Sequence, residues 1–460
     1  MSSVPLWTIA EVARALGLSG EYPDTPIDFV TQDSRLVKPG CLFVALSGTP
    51  SGGFISSFAS ARDGWEFADK AEAAGAVAMI VPHRIDGISV PQLIVKDTLI
   101  DGLWRLARAA RARFDGPVIG LTGSAGKTST KEFLAAYPNA YASPSSFNNF
   151  WGVPLTLCNA SPDASAWVVE MGMNQTGEIA RLSELTKPTV ALVVNVQPVH
   201  LEKLGSLEAI RREKMSIAQG LPQGGVLVLP TDVEAPEWNG KIIRFGEGAE
   251  VRELKHAPQG ESWDVVAEVK GKQIAFGLTP GAPHRLQNAL AALASLYAAD
   301  LDAAALAKEL AHVGIMTGRG VEQTASGVTV IDDSFNGNPA SMVAALGSLK
   351  ARPVKAGRRI AILGDMLELG ADAPAYHTRL AGDLPGIDGV YCVGPLMRHL
   401  YDLVPAERAL GWHDDPATLD PREVAALLRG GDVVVVKGSK KMFWVNKFVP
   451  RLLAALQAKA

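Results

Sequence analysis

The residues best suited to chemistry lie in one segment, PVIGLTGSAGKTSTKEFL, at positions 117–134. Gly123 and Gly126 are small enough for backbone N–H groups to turn toward an anion, and the following helix adds its positive N-terminus. Lys127 can reach the β- and γ-phosphates of a nucleotide, and the Thr128 hydroxyl can ligate magnesium. The segment therefore predicts a loop that binds the phosphates of ATP. Its residues are Gly123, Ser124, Ala125, Gly126, Lys127, Thr128 and Ser129.

The loop departs from the strict phosphate-loop pattern GxxxxGK[ST]. That pattern requires glycine where this chain has Leu121, so the match is to a shorter TGxxGKT variant. An ordinary strand–turn–helix corner with a surface lysine is the alternative. The strand before the loop, the helix after it and the hydroxyl pair Thr128–Ser129 favour the phosphate-binding interpretation.

Three further residues have side chains that suit a metal or phosphate site. Glu170 ends the apolar run AWVVE, and its carboxylate is the kind of oxygen ligand that magnesium prefers. His200 follows the run VALVVNV, where a packed or solvent-bonded histidine is equally expected. Lys214 lies among other charges on a predicted helix, and its position alone predicts a solvated side chain.

The elements that must position these residues alternate along the chain. Apolar, β-branched runs alternate with alanine- and leucine-rich helical stretches, which is typical of an α/β fold with parallel sheets. Ligands of such sheets collect beyond the carboxyl ends of the strands, so the residues after each strand matter most. We expect strands at 118–122, 167–170, 189–195, 328–331, 359–363, 390–393 and 433–436.

Composition restricts the class of protein. The 460 residues include 44 Lys+Arg and 48 Asp+Glu, and this balance argues against a nucleic-acid surface. Cys41, Cys158 and Cys392 are far apart and do not form a CxxC motif, which argues against disulfides or structural zinc. The N-terminus lacks the pattern of a signal peptide, and we see no apolar stretch long enough for a membrane span. We expect a soluble cytoplasmic enzyme.

The length predicts about three domains. A basic helix at 103–113 is followed by Gly116–Pro117, and a second break lies at Gly318–Arg319–Gly320. The predicted domains are therefore 1–113, 114–318 and 319–460.

Seven ordered motifs resemble the Mur ligases of peptidoglycan synthesis. They are GSAGKTSTKE, FNNFWGVPLTL, EMGMNQTGEI, VHLEKLGSLEAIRREK, HRLQNALAALA, GRG and IDDSFNGNPASM. The second and the last are similar to the branch that adds D-alanyl-D-alanine to UDP-N-acetylmuramoyl-tripeptide. DSRLVKPGCLFVAL, at 33–46, resembles the nucleotide-sugar domain of that branch, so the similarity covers nearly the whole chain.

The resemblance implies an ATP-dependent amide ligase with three α/β domains. The first would bind the UDP-sugar peptide, the second would hold a phosphate loop on a parallel sheet, and the third, Rossmann-like, would bind the incoming dipeptide. The substrate carboxylate would attack the γ-phosphate, and the dipeptide amine would then displace phosphate from the acyl phosphate. Positioning and cations that neutralise developing charge dominate such phosphoryl transfers. The family also implies a cytoplasmic enzyme, which we expect to be a monomer.

The resemblance also implies roles for single residues. Lys127 and Thr128 would hold the phosphates and a first magnesium ion, while Glu170 and His200 would be metal ligands. Lys214 matches a lysine that is carbamylated in several Mur ligases. Because only a neutral amine reacts with carbon dioxide, the site would have to lower the pKa of this lysine. The sequence leaves both forms of Lys214 open.

Four other residues match the nucleotide-binding positions of the family. Asn288 resembles the residue that reads adenine, with a helix-surface amide as the alternative. Arg319 resembles the arginine that contacts the γ-phosphate, which completes a catalytic set with Lys127, His200 and Lys214. Asp333 resembles the ribose-binding acid, and Asn336 lies in the same loop. Phe335 stands where the family usually has tyrosine.

The substrate residues implied by the resemblance lie in two motifs. Ser34 and Arg35 match the motif near the uridine diphosphate, and Asn148 and Asn149 belong to the NNxxGVPLT segment. An Asx or Ser turn is the alternative at Ser34. The connection GTPSGGFISSFASARDGWEF is longer and less regular than the family pattern GxxxDGHxF.

The third predicted domain offers weaker candidates. Asp365 and Glu368 in GDMLELG could orient the dipeptide, although capping of the following helix explains them more simply. Lys437 and Ser439 in the KGS motif could bind its carboxylate.

Two other functions remain open at this point. One is a related ligase that joins a different carboxylate and amine, such as a sibling Mur ligase or a folylpolyglutamate-type synthetase. The other is a nucleotide-bound scaffold without catalysis, which would have no need of this complete set of reactive side chains.

Overall fold

Helices and strands alternate in the computed structural model, which confirms the predicted α/β class. The structure describes residues 5–54, 60–199, 201–260, 262–354 and 356–459. The chain forms two compact units. One comprises Met1–Asn195 and Arg211–Val313, and the other Val196–Ile210 and Gly314–Ala460.

The first unit begins with a two-stranded antiparallel sheet and a four-stranded parallel sheet. The strands are β1 (Trp7–Thr8), β2 (Pro26–Ile27), β3 (Phe29–Thr31), β4 (Cys41–Val44), β5 (Ala76–Val81) and β6 (Gln92–Ile94). The α-helices are α1 (Ile9–Leu16), α2 (Ala68–Ala73) and α3 (Arg105–Ala112), and a π-helical turn at Thr98–Trp104 precedes α3. The Thr8 hydroxyl accepts from the N–H of Glu11, whose carboxylate accepts from the N–H of Thr8, so a capping box fixes the start of α1.

A nine-stranded sheet follows in the order β15-β14-β13-β12-β11-β10-β7-β9-β8. Its strands are β7 (Val118–Thr122), β8 (Ala140–Ala142), β9 (Ala166–Glu170), β10 (Val190–Val193), β11 (Val226–Pro230), β12 (Lys241–Phe245), β13 (Val251–Gln259), β14 (Ser262–Val269) and β15 (Lys272–Leu278). The α-helices between residues 118 and 313 are α4 (Lys127–Ala135), α5 (Gly152–Asn159), α6 (Glu178–Thr186), α7 (Leu201–Leu204), α8 (Leu207–Met215), α9 (Pro283–Ala298) and α10 (Ala303–Ala307). Of these, α7 and the first four residues of α8 belong to the other unit. Strands β7–β12 pair in parallel, and β12 also pairs in parallel with β13, whereas β14 runs antiparallel to both β13 and β15.

The core of this sheet explains why its first strand matched the prediction. All five residues of β7 are buried, as expected for a central strand of a parallel sheet covered on both faces. Helix α9 is alanine-rich, and most of its residues are buried in the same core. The strand predicted at 189–195 is shorter and spans Val190–Val193. Asn195 leaves the ladder because its carbonyl oxygen accepts from the N–H of Ser124 at 3.2 Å.

The second unit contains a six-stranded sheet in the order β16-β17-β21-β18-β19-β20. Its strands are β16 (Val321–Ala325), β17 (Val328–Asp333), β18 (Arg359–Gly364), β19 (Gly389–Val393), β20 (Ala409–His413) and β21 (Val433–Lys437). Its helices are α11 (Pro339–Ala351), α12 (Ala373–Arg379), α13 (Arg398–Tyr401), α14 (Pro421–Leu427) and α15 (Phe448–Lys459). Only β16 runs antiparallel to its neighbour, so the predicted parallel arrangement is confirmed for the other five.

Each predicted domain contains one of the three larger sheets, while the boundaries at 113/114 and 318/319 stay predictions. Within the described residues, none of the helices combines the length and hydrophobicity that a bilayer crossing requires.

Candidate nucleotide and metal site

The predicted phosphate loop joins the buried strand β7 to helix α4. Gly126 precedes the helix with a φ of 77°, a left-handed conformation that favours glycine. Lys127 is half-buried, and its Nζ donates to the carbonyl oxygen of Gly123 at 2.7 Å. Thr128, in the first turn of α4, is buried. The loop therefore has the strand–glycine–helix geometry that turns N–H groups toward an anion.

Asn195 holds this loop, and sequence reasoning missed it. Its Oδ1 accepts from the N–H groups of Ser124 and Ala125 at 3.0 and 2.9 Å, and its Nδ2 donates to the carbonyl oxygen of Ala125 at 3.0 Å. Asn195 follows β10, the neighbour of β7 in the sheet. The rule that chemistry collects after strand ends could have found it.

Asn288 lies against the same loop. It is buried on α9 rather than on the helix surface, so the surface-amide alternative is wrong. A Cβ placed on Gly126 would lie 2.5 Å from its Oδ1. The fold thus brings a buried amide next to the turn that would hold the phosphates, as expected for a nucleotide-binding residue.

Gly126→Ala is expected to weaken ADP binding at least tenfold, because the new methyl group would displace Asn288 and the loop. The strained backbone costs a further about 1–2 kcal/mol of unfolding free energy. Gly177→Ala is the matched control: Gly177 precedes α6 with a φ of 87°, and among the described atoms none lies within 4 Å of its added Cβ. Calorimetric ADP titration and urea unfolding should show similar stability losses in both variants but an affinity loss in Gly126→Ala alone. Equal ADP affinity in the two variants would contradict this account.

Glu170 ends β9 beside the phosphate loop. Its register partner on β7 is Leu121, so both strands end at the same edge of the sheet, as predicted. The carboxylate is buried, and its Oε1 accepts from Asn148 Nδ2 at 2.7 Å. Among the described residues, Oε2 has no hydrogen-bond partner. A buried, half-satisfied carboxylate is costly unless a further ligand completes it.

This donor set fits magnesium. The hydroxyl of Thr128 and the orphan oxygen of Glu170 are hard oxygen ligands, which Mg²⁺ prefers. Among the described residues, no cluster of three His, Cys, Asp or Glu side chains could hold a metal ion by itself. Mg²⁺ is usually held by one or two protein oxygens together with substrate phosphates. His200, the other predicted ligand, lies outside the described residues.

Lys214 is buried, so the interpretation of a solvated side chain is wrong. It lies one helical turn after Ile210 on α8, and both side chains belong to the buried face of this helix. Burial, and after it the positive charge of Lys127, lower the pKa of Lys214 well below its usual value, while Glu213 opposes the shift. The site therefore favours the neutral amine, which is the form that reacts with carbon dioxide.

The second unit brings three nucleotide-site candidates together. Asp333 ends β17 and pairs in register with Lys437 at the end of β21. The buried Lys437 Nζ donates to Asp333 Oδ2 at 2.7 Å and to the carbonyl oxygen of Asn336 at 3.1 Å. Lys437 is therefore engaged with the 333–336 loop, and its role toward an incoming carboxylate stays a prediction. The Arg319 guanidinium stacks 4.3 Å from the ring centre of Phe335. The aromatic ring alone makes this contact, so it does not require the hydroxyl of the tyrosine that the family usually has at this position.

The remaining candidates make structural contacts. Ser34 lies in an Asx turn, in which Asp33 Oδ1 accepts from the Arg35 N–H at 3.0 Å and the two side chains pair at 2.6 Å. Asn149 Oδ1 accepts from the Gly152 N–H at 2.8 Å, at the start of α5. Asp365 does not cap the helix that follows it. Its Oδ1 accepts from the N–H of Met397, 32 residues later in the chain, at 2.7 Å. Substrate roles for Ser34, Arg35, Asn148 and Asn149 stay predictions.

Comparison with known proteins identifies the family. A model of the Mur ligase middle domain matches residues 121–296, and one described as the Mur ligase glutamate ligase domain matches residues 319–440. The chain is 35% identical over 407 residues to UDP-N-acetylmuramoyl-tripeptide--D-alanyl-D-alanine ligase of Escherichia coli (strain K12), covering 84% of this chain and 86% of that protein. The chain belongs to the Mur ligase family.

Solved structures extend the similarity of this Mur ligase to nearly its whole length. MurF from Acinetobacter baumannii has a TM-score of 0.81 at 26% identity and covers 97% of this chain and 99% of its own. MurF from Thermotoga maritima, solved in complex with ADP, has a TM-score of 0.75 at 27% identity and covers 94% and 98%. The similarity is therefore not confined to the phosphate loop.

Proposed function

We propose that this Mur ligase joins D-alanyl-D-alanine to UDP-N-acetylmuramoyl-tripeptide with cleavage of ATP to ADP and phosphate, in peptidoglycan precursor synthesis. The observation that carries the proposal is its similarity to the E. coli ligase of that name over 84% of the chain. The buried Thr128 and Glu170 and the Lys127 side chain support it, because their chemistry suits phosphate and magnesium binding. We also propose a cytoplasmic, monomeric enzyme.

The reaction requires two transfers. An oxygen of the tripeptide carboxylate bonds to the γ-phosphorus as the bond to the β-phosphate oxygen breaks, which releases ADP. The dipeptide amine nitrogen then bonds to the acyl carbon, loses a proton, and phosphate leaves. Because a carboxylate is a poor electrophile, the first transfer makes the second one feasible.

The residues of the phosphate loop would position the first transfer. Lys127 would neutralise charge on the β- and γ-phosphates, and Asn195 would hold the loop N–H groups in place. Thr128, Glu170 and His200 would hold magnesium, which when bound withdraws charge from the phosphate oxygens. Asn288 would bind the adenine, while Asp333 and Asn336 would bind the ribose and Arg319 the γ-phosphate. A carbamylated Lys214 would add an anionic oxygen to the metal site.

The proposal is tested by phosphate release from ATP with purified protein, UDP-N-acetylmuramoyl-tripeptide and D-alanyl-D-alanine. We expect release only when all three substrates are present, together with a new peptide-bonded product detected by mass spectrometry. Leaving out each component in turn supplies the controls. Release that is independent of the dipeptide, or that requires glutamate instead, would favour a sibling or folylpolyglutamate-type ligase. Nucleotide binding without release would favour an inactive relative.

A further inference from the structure

Lys131 is a buried lysine on the helix that follows the phosphate loop. Its side chain is among the largest fully buried ones, with 1% exposure, although lysine is rarely buried without partners. Nζ donates to the carbonyl oxygens of Ser143 and Ser145 at 2.8 and 2.7 Å and pairs with Glu132 at 2.7 Å. The ammonium therefore fixes the chain just after β8 to helix α4.

The segment that Lys131 holds leads directly to Glu170. The Ser143 hydroxyl accepts from the Glu170 N–H at 3.1 Å, and five residues later Asn148 Nδ2 donates to Glu170 Oε1 at 2.7 Å. Asn148 is held in turn by the Gly172 N–H, which donates to its carbonyl oxygen at 2.6 Å. Lys131 thus anchors the backbone at Ser143 and Ser145, and three residues further along that segment the Asn148 side chain bonds one oxygen of the candidate metal ligand.

The Asn148 contact determines which oxygen of Glu170 stays available to a metal ion. The terminal torsion of a glutamate is broad, so an unrestrained carboxylate would sample many orientations. The Asn148 amide occupies Oε1, and within the described residues Oε2 is left without a partner. Residues that orient a metal ligand in this way matter nearly as much as the ligand itself.

We propose that Lys131 is a positioning residue for the metal site: its buried ammonium anchors the 143–148 segment, and through Asn148 it orients Glu170 to bind a divalent cation. The inference rests on the proposed function, because the cation is the one that accompanies the nucleotide.

Mn²⁺ titration of the full chain with ADP, followed by electron paramagnetic resonance, tests the proposal without relying on turnover. Lys131→Met keeps the length of the side chain and removes the ammonium, and we expect about tenfold weaker Mn²⁺ binding. Lys459→Met is the matched control. Lys459 ends the C-terminal helix α15, and its Nζ also donates to main-chain carbonyls, those of Ala425, Ala426 and Leu428. It should leave Mn²⁺ affinity unchanged.

Asn148→Ala removes the contact with Glu170 at the other end of the 143–148 segment. It is the deciding variant if Lys131→Met does not fold. It should weaken Mn²⁺ binding similarly, and the double variant should be no weaker than either single one, since both break one pathway. Additive losses, or folded variants with the Mn²⁺ affinity of the wild type, would overturn the positioning role. Wild-type protein that binds no Mn²⁺ with ADP would instead overturn the proposed function.

Discussion

Lys127→Ala is expected to abolish ATP-dependent turnover, by about 100-fold or more, while the protein stays folded. The side chain starts helix α4 and bonds to the loop carbonyl of Gly123, and it is only half-buried, so the core does not depend on it. In the reaction, by contrast, one preorganised donor aimed at developing negative charge typically contributes about two to three orders of magnitude. Activity and stability should therefore respond very differently to this one change.

The measurement is kcat for phosphate release together with the urea midpoint of unfolding. Lys308→Ala, at an exposed lysine just after α10, serves as the control and should change neither. A Lys127→Ala protein that unfolds would indicate a structural role for the lysine. Turnover close to that of the wild type would remove it from the reaction.

The fold was largely predictable because parallel strands leave a strong local pattern. The buried run 118–122 is apolar up to Thr122 and is bounded by Pro117 and Gly123, so its predicted limits agree with the strand observed. The alternation with helices then implied the α/β class. The residue at which a strand ends is less predictable. The sequence pattern allowed β10 to continue to Asn195, but the contact of Asn195 with the phosphate loop ends the strand earlier.

The candidate site was predictable only where its residues are adjacent in sequence. The phosphate loop is one continuous motif, and Glu170 ends a strand, so local patterns indicated both. Lys131 and Lys214 stand among polar residues on helices, and only the packing of distant segments buries them. The pairing of Lys437 with Asp333 joins positions 104 residues apart, a distance over which no local pattern operates.

Lys214→Met is expected to abolish activity and, unlike most active-site losses, to stabilise the protein at neutral pH. Burial and the nearby charge of Lys127 lower the pKa of the Lys214 ammonium in the folded state, whereas unfolding restores a value near 10.5. Between the lowered pKa and 10.5, the unfolded chain binds a proton that the folded chain does not. The unfolding free energy of the wild type must therefore rise with pH over that window.

Methionine has a similar length and no charge, so Lys214→Met removes this pH-dependent cost. Replacing a buried charge by an apolar side chain often gains about 1 kcal/mol or more. Urea unfolding in buffer free of carbon dioxide should show that the variant is more stable at pH 7. Plotted against pH, the unfolding free energies of variant and wild type should converge as the pH approaches the pKa of free lysine, 10.5. The exposed Lys308→Met should follow the wild type throughout.

Carbon dioxide separates the two forms of Lys214 that the sequence left open. A carbamate exchanges a proton of the neutral amine for a carboxylate, so bicarbonate should raise the activity of the wild type and add the mass of one carbon dioxide. It should do neither in Lys214→Met, because methionine has no amine. If the wild type gains activity without the added mass, bicarbonate acts elsewhere. If Lys214→Met keeps turnover, Lys214 lies outside the reaction, and its low pKa reflects burial alone.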